Sequence, residues 1–195
     1  MTADAAVVIL AGGEGSRIGG AKPLQLLAGE RLIDRALRMA RGWSDVVAIV
    51  VRHTDQAGGV DVPILVDEDG VEGPLAGLIA AIGFAREIRR PFVLTIAADM
   101  PFLPRDLLQR LRIAIGESAC AIARSGGHLH PVCGLWRVSA LASVDPYLGT
   151  GKRSLKGFAE AIGFVAVEWP AKPSDAFFNI NDTVDLDIAE RLAAD

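Results

Sequence analysis

Several things that would each have named a class of protein are scarce in this sequence. It has two cysteines in 195 residues, Cys120 and Cys133, too few for a disulfide framework. Both lie in apolar segments and read as buried free thiols, which points to a reducing, cytoplasmic setting. The three histidines, His53, His128 and His130, show no zinc spacing such as H-E-x-x-H. There is no basic excess. The formal net charge is −4, which argues against a general nucleic-acid binder, whose footprint is a basic face. No apolar run approaches the roughly 18 residues of a membrane span, so no membrane association is expected. The stretch Met1-Thr-Ala-Asp-Ala-Ala6 lacks the positive region of a signal peptide. Internal repeats, low-complexity tracts and an interdomain linker are also missing. The length suits one domain with a substantial core, and a single domain over residues 1–195 is expected.

Glycine, by contrast, is concentrated near the start. Val7-Val-Ile-Leu10 reads as a short buried strand, and Gly12, Gly13, Gly15, Gly19 and Gly20 follow it, with Arg17 and Lys22 among them. Successive backbone N–H groups in such a loop form an anion-binding nest, and the two cations suit a phosphate. Three phosphate motifs compete for this loop. The dinucleotide fingerprint G-x-G-x-x-G is missed by one residue, since Gly13 to Gly19 gives G-x-G-x-x-x-G. That fingerprint also needs an acidic residue ending the next strand, where Val46 to Val51 is followed by Arg52. An Arg there suits a 2′-phosphate, so the dinucleotide reading is weakened and stays open. The P-loop pattern fails: Gly151-Lys152 is the sole Gly-Lys pair, with Pro146 in the first glycine's place and Arg153 in the hydroxyl's. A long basic glycine-rich loop of the kind nucleotidyltransferases wrap around a triphosphate fits Leu10 to Lys22 best.

The rest of the chain alternates. Leu24 to Glu30 reads as a short strand and turn. Leu32, Ile33, Ala36, Leu37 and Ala40 recur at helical spacing up to Gly42. Val46–Val51 and 63–66 read as strands, the first apolar on both faces as in a parallel sheet. Gly73-Pro-Leu-Ala-Gly77 opens a helix to about Arg86, with Pro74 in its first turn. Phe92 to Ala97 is the most strand-like run and ends at Asp99. Ligands of open α/β sheets sit beyond the carboxyl ends of strands, so Asp99 stands where a metal-binding carboxylate belongs. A helix over 106–115 follows. Strands over 119–123 and 132–136 flank a turn at Gly126-Gly127. Helices are predicted over 138–147 and 154–162, strands over 164–168 and 177–180, and a last helix capped by Thr183. The pattern predicts an α/β fold with a mostly parallel sheet and helices on both faces.

The order of the motifs Leu10-Ala-Gly-Gly13, Arg17-Ile-Gly19 with Lys22, Gly73-Pro-Leu-Ala-Gly77 and Asp99-Met-Pro-Phe102 resembles the molybdenum cofactor guanylyltransferases. His130-Pro131, Gly151-Lys-Arg153 and Phe178-Asn-Ile-Asn181 extend the resemblance over most of the chain. It implies a Rossmann-like three-layer α/β/α sandwich of the nucleotide-diphospho-sugar transferase fold. The N-terminal half would bind nucleotide and the C-terminal half molybdopterin. It further implies that GMP passes from GTP, with Mg²⁺, to the terminal phosphate of molybdopterin, and that transient contacts with molybdopterin-insertion or molybdoenzyme proteins follow. Leu10, Ala11, Gly12, Gly13, Asp67, Gly73, Pro74, Leu75, Gly77 and Asp99 would contact nucleotide. Lys22 would stand near its phosphates, and Asp99 would be the Mg²⁺ ligand. His130, Pro131, Arg153, Asn179 and Asn181 would hold the second substrate.

Ala21 departs from the family, which often has an aspartate before the lysine, and leans toward cytidylyltransferases. Asn181-Asp-Thr-Val184 departs from the usual Asn-Thr-Pro. The chemistry fits the resemblance on its own terms. Displacement at an α-phosphate needs charge neutralisation and alignment, and Mg²⁺ is commonly held by one or two carboxylates plus substrate phosphates. Arg17, Lys22 and Asp99 are therefore the catalytic candidates. The nucleophile is an already ionised phosphate, so no strong base is required, and His130 reads as a substrate-contact or structural residue. A cytidylyl or sugar-phosphate nucleotidyltransferase of the same fold and a non-catalytic cofactor carrier are the alternatives.

Overall fold

The computed structural model describes residues 4–12 and 22–194. At its centre is β1 (Ala5–Leu10), apolar throughout, so both of its faces must be covered. Parallel to it lie β4 (Val47–Val51) on one side and β6 (Phe92–Ala97) on the other. β5 (Ile64–Val66) extends the sheet beyond β4. Past β6 come β8 (His128–Arg137), β7 (Cys120–Ser125) and β9 (Phe164–Trp169). Among the described residues the order is β5-β4-β1-β6-β8-β7-β9. Only β8 runs against its neighbours. A hairpin of β2 (Leu26–Leu27) and β3 (Glu30–Arg31) stands apart.

The period-two alternation of β1 sorts the helices into two layers. Ala5, Val7 and Ile9 pack with Ile33, Ala36 and Leu37 of α1 (Leu32–Trp43) and with Leu107 and Leu111 of α3 (Leu107–Ala114). Ala6 and Val8 pack with Leu75, Leu78 and Ile82 of α2 (Pro74–Glu87). Phe158 of α5 (Leu155–Ile162), with Tyr147 of α4 (Val144–Gly149), continues that second layer. The result is the three-layer, mostly parallel α/β/α sandwich that the residue pattern predicts. Cys120 and Cys133 are buried free thiols, and burial pushes both up to about 12. No helix among the described residues is long and apolar enough to cross a membrane.

Four local expectations change. Gly42 lies inside α1, which ends at Trp43, and the Ser44 N–H closes it on the Ala40 carbonyl. The predicted helix over 138–147 divides into a 3-10 turn at Val138–Ser143 and then α4. Residues 177–180 form no strand. The Phe177 N–H donates to the Asp175 carboxylate at 2.9 Å and the Ile180 N–H to the Asp99 carbonyl at 3.0 Å, so this backbone is satisfied by turn and loop partners instead of a ladder. α6 (Thr183–Ala194) is capped by Asp182, whose Oδ1 accepts the Asp185 N–H at 3.0 Å. Gly126-Gly127 is the expected hairpin turn, with φ of 53° and 82° as a type I′ loop demands.

Candidate active site

From β1 the chain moves outward to β4 and β5, then returns to β6 on the opposite side of β1. Where strand order reverses in this way, loops leave the carboxyl ends in diverging directions and open a crevice. A cleft of about 330 Å³ lies there, lined by Leu10 at the end of β1, Gly12 just beyond it, Asp67 after β5 and Asp99 after β6. The N-terminus of α2 closes one side through Gly73, Pro74 and Gly77, and Asn179 contributes from the C-terminal segment.

Asp67 is wedged between two glycines on one side of the cleft. Its N–H donates to the Val51 carbonyl at 3.0 Å, which fixes the loop just past β5. A Cβ at Gly12 would come within 3.1 Å of Asp67 Oδ2, and one at Gly77 within 3.2 Å of Oδ1. The carboxylate thus occupies room that two glycines leave. Gly73 serves differently: its φ of 73° turns the chain into α2, a conformation glycine adopts without a Cβ clash.

Burial raises the Asp67 pKa, against an opposing pull from Arg52. A raised pKa means that folding penalises the ionised form. The penalty is missing below the ordinary carboxylate range, near pH 4, and grows as pH rises through the raised value. Asp67→Asn is therefore expected to melt higher than the wild type at pH 7, with the gap closing towards pH 4. A thermal-unfolding series across pH checks it, and a pH-independent gap would contradict this account.

On the other side, Lys22 Nζ donates to Asp99 Oδ2 at 2.5 Å, with side-chain exposures of 13% and 21%. Lys22 begins a 3-10 turn whose Pro23 is buried, so its backbone is anchored. The other oxygen, Asp99 Oδ1, is buried and finds no hydrogen-bond partner among the described residues, and the same holds for Asn179 Oδ1. Two orphaned oxygens bordering one cleft are costly unless something fills them. The described residues hold no group of three His, Cys, Asp or Glu side chains able to bind a metal. A hard cation that takes its remaining ligands from phosphate needs no such group.

The remaining sequence candidates fall in several places. Gly13 and Arg17 lie outside the described residues. Ala11 is buried after β1, its N–H on the Val50 carbonyl at 2.8 Å, and borders the Lys22–Asp99 pair. The Leu75 side chain is fully buried against the sheet, so only its backbone is available to a ligand. Asn181 is exposed, and its amide exchanges hydrogen bonds with Asn179 at 3.2 and 3.3 Å. His130 Nε2 lies 2.8 Å from Ser125 Oγ, which also bonds Asp175, and the imidazole stacks on Phe177 at 4.7 Å. Burial lowers the His130 pKa, with Asp175 pulling the other way. These contacts brace the segment leading to Asn179. Pro131 follows His130 in an irregular stretch of β8. Arg153 is exposed beyond α4, where it donates to the Leu148 and Lys152 carbonyls, and it does not border the cleft. Val50, Ala97, Met100 and Val132 line the cleft as well. All but Val132 lie at or just past the carboxyl ends of β4 and β6, the position that could have marked them in the sequence.

Residues 7–162 match the MobA-like NTP transferase domain. The chain belongs to this family. A molybdenum cofactor guanylyltransferase of Cereibacter sphaeroides (strain ATCC 17029) is 37% identical over 187 residues, covering 95% of each chain. One from Acidiphilium cryptum is 39% identical over 188 residues, covering 94% of this chain and 92% of the relative. Among solved structures, molybdopterin-guanine dinucleotide biosynthesis protein A from Archaeoglobus fulgidus superposes with a TM-score of 0.79 at 25% identity. That superposition covers 96% of this chain and 98% of the other. The chain is thus a MobA-like nucleotidyltransferase, and all residues lining the cleft except Asn179 fall within the matched segment.

Proposed function

We propose that this MobA-like chain transfers GMP from GTP to molybdopterin, forming molybdopterin guanine dinucleotide and releasing pyrophosphate, in the cytoplasm. Similarity to guanylyltransferases over nearly the full length of both chains carries the reading. In this assignment Asp99 holds Mg²⁺. The orphaned Asp99 Oδ1 fits that role, and Asn179 Oδ1 offers a second hard oxygen on the same cleft. Mg²⁺ supplies charge neutralisation on the phosphates when bound. Leu10, Ala11 and Gly12 bring backbone against the nucleotide, Asp67 contacts it, and Gly73, Pro74 and Gly77 keep the wall open. Lys22, with Arg17 and the loop N–H groups, stabilises the departing pyrophosphate. The attacking group is a phosphate oxygen of the acceptor. No protein base is needed, in keeping with a His130 ring already engaged by Ser125 and Phe177.

The assay is pyrophosphate release with molybdopterin and each nucleoside triphosphate in turn. GTP is expected to be selected, and selection of CTP would move the chain to the cytidylyl alternative. Asn181 borders the acceptor side in this reading. Asn181→Ala is expected to raise KM for molybdopterin by about tenfold, the worth of one good hydrogen bond, while GTP binding changes little. Equal losses for both substrates would remove the assignment. Transient docking with the proteins that receive the product belongs to the same proposal.

A further inference from the structure

The Lys22–Asp99 pair raises a question that the proposed reaction does not answer. If Asp99 receives a divalent cation, half of its carboxylate is already engaged, since Lys22 Nζ sits 2.5 Å from Oδ2, while Oδ1 finds no partner among the described residues. The space around the pair, about 30 Å³ among Leu10, Ala11, Pro23 and Ala98, has room for a water or two. A hydrated cation does not fit on that side of the pair, and one approaching from the 330 Å³ cleft meets a carboxylate whose charge the ammonium already offsets. Two positive centres on one largely buried carboxylate would also repel each other in a medium that screens poorly. The backbone of Lys22 stays put, held by buried Pro23 and by the Gln25 N–H on the Lys22 carbonyl at 3.2 Å. Its side chain, on a flexible four-carbon stem, is the part able to move.

We infer that Lys22 is a placeholder cation: it neutralises Asp99 in the nucleotide-free chain and yields the carboxylate only when a triphosphate arrives to take the ammonium. This rests on the reading of Asp99 as a metal ligand. No covalent step is involved. One ion pair, ammonium with carboxylate, is exchanged for two, ammonium with phosphate and carboxylate with metal. The arriving triphosphate supplies the negative charge that lets both cations remain. Divalent cation and nucleotide therefore bind together, and cation alone binds weakly. The arrangement keeps a buried carboxylate from standing uncompensated between turnovers, which would be costly. It also keeps the site from filling with stray divalent cations before substrate is present.

The test is Mn²⁺ binding to the whole protein, followed by the loss of the free-ion electron paramagnetic resonance signal, without and with GTP. Wild type is expected to bind Mn²⁺ weakly alone and much more tightly with GTP. Lys22→Met, which keeps the length and removes the charge, is expected to bind Mn²⁺ alone at least about tenfold more tightly than wild type. Adding Asp99→Asn to that variant is expected to erase the gain. Thermal unfolding of each variant identifies any that fails to fold, and Lys22→Arg, which restores a cation, is expected to return Mn²⁺ binding towards wild type. If Lys22→Met binds Mn²⁺ alone no better than wild type while Asp99→Asn weakens binding in the presence of GTP, the placeholder is overturned and the metal ligand stands. If Asp99→Asn changes Mn²⁺ binding neither with nor without GTP, the metal ligand itself is overturned.

Discussion

Asp99→Ala is expected to lower turnover by about a thousandfold or more while leaving the sheet intact. The size follows from the role. Removing one group that stabilises developing charge typically costs about 10²–10³ in rate, and on the proposed role the cation that Asp99 would hold is lost as well. The fold is expected to survive because Asp99 lies past the end of β6, and its backbone carbonyl, which accepts the Ile180 N–H, is unaffected by the side chain. Deleting the carboxylate does leave the Lys22 ammonium largely buried without its partner, so a modest fall in melting temperature is expected alongside. Steady-state kinetics with GTP and molybdopterin, beside far-ultraviolet circular dichroism, separate the two effects. Turnover near the wild-type rate would remove Asp99 from the reaction.

Trp136→Ala is expected to cost about 3–5 kcal/mol of stability, the usual range for emptying a buried aromatic site. Trp136 is fully buried in the layer between the sheet and α5 and stacks near Phe158 at 6.1 Å. Its indole N–H donates to Thr95 Oγ1 at 3.1 Å, and that hydroxyl donates to the Gly134 carbonyl at 3.3 Å. The substitution leaves a cavity and deprives Thr95 of its donor. For a chain of this size about 1 kcal/mol corresponds to roughly 2–4 °C, so the melting temperature is expected to fall by about 6–20 °C. Trp136→Phe refills most of the volume without the hydrogen bond and is expected to lose less than half as much. Equal losses in the two variants would place the stability in the hydrogen bond instead of the packing.

The parts of this architecture that were legible in the sequence are those where periodicity and burial coincide. Val7–Leu10 and Phe92–Ala97 read as buried strands because every position but Thr95 is apolar, and both prove to be central. The carboxyl end of the second strand then located Asp99. The α2 motif shows where letters mislead. Gly73 to Gly77 looks like one binding unit, yet a helix presents only one face to a cleft. Pro74 and Gly77 are one turn apart and share that face, while Leu75 and Leu78 face the sheet. The segment 177–180 reads as a strand because Phe177, Phe178 and Ile180 are apolar. What holds it is a local turn on Asp175, two residues upstream, and the distant backbone of Asp99, a partner that leaves no local pattern. The Lys22–Asp99 contact spans 77 residues, and neither the ion pair nor the Ser125–His130–Asp175 brace carries a spacing signature that single-chain reading can find.

The irregularity in β8 shapes one wall of the cleft. Opposite β7, Ile122 pairs with Gly134 and the next residue, Ala123, pairs with His130, so Pro131, Val132 and Cys133 are extra on one side only. Opposite β6, pairing runs from Phe92 with Arg137 to Thr95 with Gly134 and goes no further. The sheet is thus zipped at one end and forked at the other, and the fork opens at Val132, on the wall of the cleft. Lengthening or shortening the bulge at 131–133 would reshape this wall of the cleft without disturbing the register of β1, β4 and β6. A fold built this way can change one wall of its cleft by local insertion while β1, β4 and β6 keep their pairing.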